Sequence, residues 1–322
     1  MALAVAACGG PPPNAPLVQV TIPAGAMLRA ISESLSVHQV LEHPAWFRTL
    51  ARLQRSDRKA QAGIYELRRG ERAGTLLRIL TEGRGKLVRF TVPEGSTIRE
   101  VAVLAAVEIG LPADSVLAAA TDTTRFHAIG GEGPSYEGWL HPDTYLVPLT
   151  IAPTDLVDLM VRQTVDLWTP AREARRDSMK LSRLAVLTLA SIVEGEALVD
   201  EERPVIAAVY LNRLRLRMPL QADPTVQYGM ELATGERKAR LFIRDYKFPS
   251  PYNTYLRPGL PPGPIDSPGI ASIDAVLEPA SVPYLYFVAG PDRRHVFSRT
   301  YREHLRAIKQ VRSGIPPAPR ID

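Results

Sequence analysis

Residues 184–194 read Leu-Ala-Val-Leu-Thr-Leu-Ala-Ser-Ile-Val-Glu. Ten uncharged residues with apolar side chains on every side predict a helix buried all round. Glu194 closes it. Burying a carboxyl at the end of such a helix disfavours the charged form, which suits a general acid. Glu194 is on these grounds one plausible acid of raised pKa. Helical spacing places Leu187, Ser191 and Glu194 on one face, where Ser191 can hydrogen-bond the carboxyl, and turns Glu196 elsewhere. The competing reading is that Glu194 merely ends the helix and pairs with an arginine such as Arg203 or Arg213.

On either side of this run, residues 171–183 are charged and helical, and Pro204 to Leu216 is another helix. From 249 to 270 the chain is dense in Pro, Gly, Tyr and Asn, which predicts an ordered loop. A helix around 270–278 follows, then strands at 284–288 and 295–297 joined by a Gly-Pro-Asp turn, and a last helix from Thr300. The fold class is α+β. Upstream, Val20-Thr21-Ile22-Pro23-Ala24-Gly25 lines up with Phe90-Thr91-Val92-Pro93-Glu94-Gly95, each a strand and a turn before an amphipathic helix. Tyr65 and Tyr145 lie in strands that lead into further helices at matching spacing. Two related β/α modules are expected, at 17–85 and 86–165, the second with a longer insertion. The character of the chain changes at 166, so 166–322 is expected to form a further domain, and residues 1–16 an apolar stub with a Pro-rich tether.

The chain has 322 residues, a formal charge of +5 and one cysteine, Cys8. A single cysteine excludes disulfides and cysteine-based metal sites from the body. The arginines are scattered among acids, and no nucleic-acid motif, phosphate loop, dinucleotide fingerprint or metal-ligand cluster is present. No cofactor is expected. No run approaches the ~20 apolar residues that span a bilayer. Val-Ala-Ala before Cys8, followed by a Gly/Pro linker, is similar to a lipoprotein signal remnant, with an N-terminal segment or a lipidated Cys8 as the expected anchor.

With Glu194 in place, an ordered series of motifs resembles the YceG-like family of endolytic murein transglycosylases. It comprises Leu-Ala-Ser-Ile-Val-Glu at 189–194, Val-Tyr-Leu-Asn-Arg-Leu at 209–214 and Leu-Gln-Ala-Asp-Pro-Thr-Val-Gln-Tyr at 220–228. Ser-Pro-Tyr-Asn-Thr-Tyr at 250–255, Gly-Leu-Pro-Pro-Gly-Pro-Ile at 259–265, Tyr-Phe-Val-Ala at 286–289 and His-Val-Phe-Ser at 295–298 continue it. Glu137-Gly138-Trp139-Leu140 and Pro142-Asp143-Thr144-Tyr145 also match. The resemblance implies a LysM-like N-terminal module and a catalytic domain that cuts the bond between N-acetylmuramic acid and N-acetylglucosamine in nascent peptidoglycan, leaving 1,6-anhydro ends. Glu194 would serve first as acid, then as base.

On this reading Gln221 and Asp223 bind sugar groups, the alternative being that Asp223 caps the helix starting at Pro224. Tyr228, Ser250, Tyr252, Asn253, Thr254 and Tyr255 offer donors, acceptors and aromatic faces to a saccharide, with core packing the competing role for the tyrosines. Ser191 supports the carboxyl. Glu137 is the rival acid, read as lining the cleft because it lacks an apolar helix. His295 is read as a hydrogen-bonded structural residue. The implied partners are glycan strands, peptidoglycan synthases and the membrane through the N-terminus, with the catalytic domain on the outer face of the cell membrane. A two-carboxylate hydrolase, with Asp223 or Glu137 as base, and an inert peptidoglycan-binding scaffold are the alternatives. Segment 231–247 has no assigned role.

Overall fold

The computed structural model describes residues 11, 14–23 and 25–313, so Cys8 lies outside the described residues. These fall into two compact units. One is drawn from Met1–Phe90, Val107–Gly110 and Thr144–Asp155, the other from Thr91–Ala106, Leu111–Asp143 and Leu156–Asp322.

In the first unit, β1 (Leu17–Ile22), α1 (Leu28–Val37), α2 (Pro44–Leu53), β2 (Gly63–Arg68) and α3 (Ala73–Thr81) follow one another. β1 and β2 are antiparallel, with Leu17 opposite Arg68 and Ile22 opposite Gly63. Alternation along the strands sends Val20, Ile22, Tyr65 and Leu67 to one face, where they pack with Ile31, Leu35, Phe47, Leu76 and Leu80. β3 (Leu87–Thr91) pairs with β4 (Thr144–Pro148). The repeated sequence pattern has a backbone counterpart: Gly25 after β1 and Gly95 after β3 take left-handed φ values of 72° and 75°. Glycine meets that requirement without steric cost. α4 (Ile98–Ile109) then follows Gly95 as α1 follows Gly25, and β2 and β4 lead into α3 and α7 (Pro153–Asp166).

Two short helices, α5 (Ala113–Ala119) and α6 (Thr123–Ala128), precede an aromatic knot in which Phe126 lies 4.5 Å from Tyr136 and 5.6 Å from Trp139. The rest of the second unit is built on α8 (Pro170–Met179), α9 (Arg183–Glu196), α10 (Arg203–Arg215), α11 (Asp223–Thr234) and α12 (Ile270–Leu277). It ends in β5 (Tyr286–Ala289), β6 (His295–Ser298) and α13 (Tyr301–Arg312). α9 begins where the Ser182 hydroxyl accepts the Ala185 N–H, and every residue from Val186 to Val193 is buried. α10, α11 and α12 surround it. The expected all-round burial holds over 186–193, where three helices cover one, while Leu184 and Ala185 are half-buried. Arg172 on α8 reaches Asp274 on α12 with paired bonds of 2.8 and 3.0 Å. β5 and β6 are antiparallel, and Thr300 with Glu303 forms a capping box that starts α13.

Candidate active site

The C-terminal turn of α9 presents two carboxyls to different surroundings. At 100° per residue, Glu196 lies about 200° around the helix from Glu194. Glu194 is clamped: Oε1 meets Arg203 Nη1 at 2.9 Å, and Oε2 accepts from the Gly269 N–H at 3.0 Å and the Ser272 hydroxyl at 2.8 Å. Arg203 also donates to Ser272 and pairs with Asp200. The turn at 93–96 closes over this cluster. Gly95 donates to the Ser267 carbonyl, and a Cβ at Gly95 would stand 3.7 Å from Glu194 Cγ. Glu94 packs so tightly on Gly269 that a Cβ there would collide with its carboxyl. Burial raises Glu94 above the usual carboxylate range, and the Glu194 charge pushes the same way.

One expectation about Glu194 is corrected here. Ser191 does not touch its carboxyl; the hydroxyl donates to the Thr188 carbonyl and accepts the Ile265 N–H, pinning the 259–265 loop to α9. The arginine partner that the competing reading allowed for Glu194 is present: Arg203, from the start of α10, pairs with it.

Glu196 faces a polar cavity of about 310 Å³, together with Tyr210, Arg213, Gln221, Asp223, Tyr255, His304 and residues of β5. That is the lower end of small-ligand pocket sizes, suited to one sugar ring. Tyr210 donates to Glu196 Oε1 at 3.0 Å. Burial pushes the Glu196 carboxyl up to about 7 against that bond; the Asp223 charge adds to the rise, while the Asp223 backbone N–H and Arg213 oppose it. Asp223 accepts hydroxyls from Tyr255 at 2.6 Å and Tyr246 at 3.2 Å. Its side chain does not cap α11, whose N-cap is Ala222. Arg213 is held by the carbonyls of Leu285, Pro219 and Leu220 and stacks over Tyr286, placing a buried cation at the cavity wall. Gln221 reaches the rim on a left-handed backbone, φ 49°, with its N–H bonded to the Thr254 carbonyl.

The other expected saccharide residues serve the scaffold. Asn253 is fully buried: it donates to the carbonyls of Tyr246 and Phe248 and accepts the Tyr255 N–H. Thr254 bonds Thr225 and accepts the Ala222 N–H. The Ser250 hydroxyl accepts the Tyr252 N–H, and Tyr252 packs edge-on against Tyr228. Together they hold Gln221, Asp223 and Tyr255 at the cavity. Their amide and hydroxyl groups are spent on backbone that the loop leaves without sheet or helix partners.

Glu137 is not a cleft-lining residue among those of the Glu196 cavity. It is buried, accepting from the Ile98 N–H at 3.1 Å and the Tyr228 hydroxyl at 3.0 Å. Burial pushes it up to about 7, those two bonds opposing the rise. The expectation that it lacked a setting to raise it is thereby corrected: the desolvation comes from tertiary packing, not from a helix of its own. Asp266 is likewise buried with Oδ1 unpartnered, and burial raises its carboxyl well above the usual range. His295 is bonded to Glu202 through both its backbone N–H and Nδ1, the latter at 2.7 Å. A wider cleft of about 680 Å³ opens beside Glu94, lined by Ser96, Arg99, Glu100, Val103 and Leu104. Among the described residues no group of three or more His, Cys, Asp or Glu could hold a metal ion.

Glu196, Tyr210, Arg213, Arg203 and Glu94 were not singled out from sequence as site residues. One signal was available for Glu196: it ends the same helix as Glu194 on the opposite face.

Residues 20–310 match the model of the YceG-like family, and the chain belongs to that family. A Bacillus subtilis (strain 168) protein named endolytic murein transglycosylase is 33% identical over 315 residues, covering 92% of this chain and 85% of that protein. A protein of the same name from Streptococcus pneumoniae serotype 2 (strain D39) is 29% identical over 314 residues, where the alignment spans 89% of this chain but 56% of the relative. The crystal structure of a yceG-like protein from Listeria monocytogenes superposes with a TM-score of 0.62 at 31% identity, covering 90% of this chain and 98% of that one.

Proposed function

We propose that this protein is an endolytic murein transglycosylase that cuts the MurNAc-β-1,4-GlcNAc bond and leaves a 1,6-anhydro end, with Glu196 rather than Glu194 as its acid and base. The observation that carries the reading is a carboxyl held near neutrality in a polar cavity of sugar-ring size. Protonated Glu196 gives its proton to the glycosidic oxygen as the C1–O bond breaks. Its carboxylate then takes the proton of the muramyl C6 hydroxyl as that oxygen bonds to C1. No water is consumed, and Glu196 ends as it began. Asp223, which accepts two tyrosine hydroxyls, faces the positive charge that develops at C1. Arg213 and Gln221 are suited to the acetamido and hydroxyl groups of the ring. Glu194 as the acid is the second reading. It is supported by its place beside Glu94 and the wider cleft, and opposed by its pairing with Arg203.

Mass spectrometry of murein digested by wild type, Glu196→Gln and Glu194→Gln tests both. Anhydro ends from wild type and about a 10³-fold loss in Glu196→Gln, with measurable turnover in folded Glu194→Gln, are expected. Reducing ends would point to the two-carboxylate hydrolase with Asp223 as base, and unchanged strands to a binding scaffold. Loss confined to Glu194→Gln would return the role to Glu194.

The same reading has the enzyme act on nascent strands at the outer face of the cell membrane, beside peptidoglycan synthases, anchored by an N-terminal segment or a lipidated Cys8. No helix among the described residues is long and apolar enough to cross a membrane. The two-helix crossover between β1 and β2 supports a LysM-like role for residues 17–85, with 86–165 as a second module and 166–322 as the catalytic domain.

A further inference from the structure

Between α11 and the loop at 249–270 the chain makes an excursion whose tip is Arg240-Leu241-Phe242-Ile243-Arg244. Ile243 is 86% exposed and Phe242 56%. Large apolar side chains at a loop tip are unfavourable in water unless something covers them. The tip is nonetheless held in one shape. Asp245 turns back to accept the Phe242 N–H at 2.9 Å and pairs with Lys238 at 2.9 Å, while the Gln227 amide holds the Lys238 carbonyl at 2.7 Å. Cations surround the apolar pair: Lys238 lies 6.0 Å and Arg244 5.8 Å from the Phe242 ring centre, and Arg240 is exposed. Residues 236–247 contain Arg237, Lys238, Arg240, Arg244 and Lys247 against Glu236 and Asp245, and Asp245 is buried.

We propose that this tip docks onto an anionic lipid bilayer surface. Phe242 and Ile243 enter the headgroup–acyl boundary, and Arg240 and Arg244 stay among the lipid phosphates on their flexible stems. A fluid anionic sheet needs no complementary groove to cover a projecting apolar pair, and its charge matches the cations around the tip. The root of the loop is joined to the Glu196 cavity, because Tyr246 hydrogen-bonds Asp223. Docking would therefore hold that cavity close to the membrane surface. The proposal concerns a surface and stands whether or not Glu196 is the acid.

Cosedimentation of the full chain with vesicles of phosphatidylglycerol and phosphatidylcholine tests it, comparing wild type, Phe242→Ser/Ile243→Ser and Arg240→Gln/Arg244→Gln. The apolar double variant is expected to partition at least about tenfold more weakly. The arginine variant should bind more weakly and lose much of the salt dependence. Pure phosphatidylcholine vesicles should retain little wild-type protein. Turnover of soluble glycan strands by Phe242→Ser/Ile243→Ser should stay unchanged, which separates this proposal from the enzymatic one. Equal partitioning of wild type and the apolar variant, or equal binding to uncharged vesicles, would overturn it and leave the patch to a protein partner.

Discussion

Glu194 and Glu196 stand two residues apart on α9, and helix geometry gives them opposite fates. One faces Arg203 and Ser272, where its charge is matched; the other faces Tyr210, Asp223 and a cavity, where burial dominates. A matched charge is suited to holding structure, and a desolvated acid near neutrality to moving a proton. As the proposed acid, Glu196 must carry its proton in the free enzyme. kcat/KM should therefore fall as pH rises through about 7, the value to which burial brings it, and a pH–rate profile on purified glycan strands checks this. Glu194→Gln removes the buried half of Arg203's pairing and leaves it the exposed Asp200, and breaking a buried pair costs up to about 3–5 kcal/mol. Denaturant unfolding of the variant reads that number apart from any effect on turnover.

Among the elements, one carboxyl ties two helices together. Glu137 joins the start of α4 to α11 through Ile98 and Tyr228. Its folded value of about 7 exceeds the ordinary 4.5, so between those limits the folded state binds more protons than the unfolded one. Stability from this group is then present below about pH 4.5 and is lost as pH rises through 7. Glu137→Gln, which keeps an acceptor and cannot ionise, should be close to wild type at pH 5. Near pH 8 it should gain, by about 2 kcal/mol, relative to wild type. Thermal melts across that range measure the crossing. Next to it, Gly138 has a φ of 78° and packs against Pro264, so the loop at 259–265 is seated on a position where only glycine fits without strain.

For the whole molecule, two cores carry different tasks. Phe47, fully buried among Leu35, Tyr65 and Leu76, belongs to the first unit, whereas the Glu196 cavity lies wholly in the second. Phe47→Ala should destabilise the first unit by about 3–5 kcal/mol, read as an earlier transition followed by Trp46 fluorescence. Much of this architecture was legible in the residues alone. An unbroken apolar run marked α9 as buried, proline and glycine marked the loop at 249–270, and the paired strand–turn–helix motifs marked the turns in which Gly25 and Gly95 take left-handed backbone. Those signals are local, because each residue's part is set by its neighbours along the chain. The motif series also determined the family, since its order along the sequence is itself the evidence. The partner of each carboxyl, by contrast, is set by packing between elements. Arg203 reaches Glu194, Asp223 crowds Glu196, Tyr228 covers Glu137, and Asn253 turns inward to bind backbone. A carboxyl's protonation depends on charges and solvent within a few ångströms in space, and that distance is fixed by how helices pack, not by how far apart residues lie in the chain.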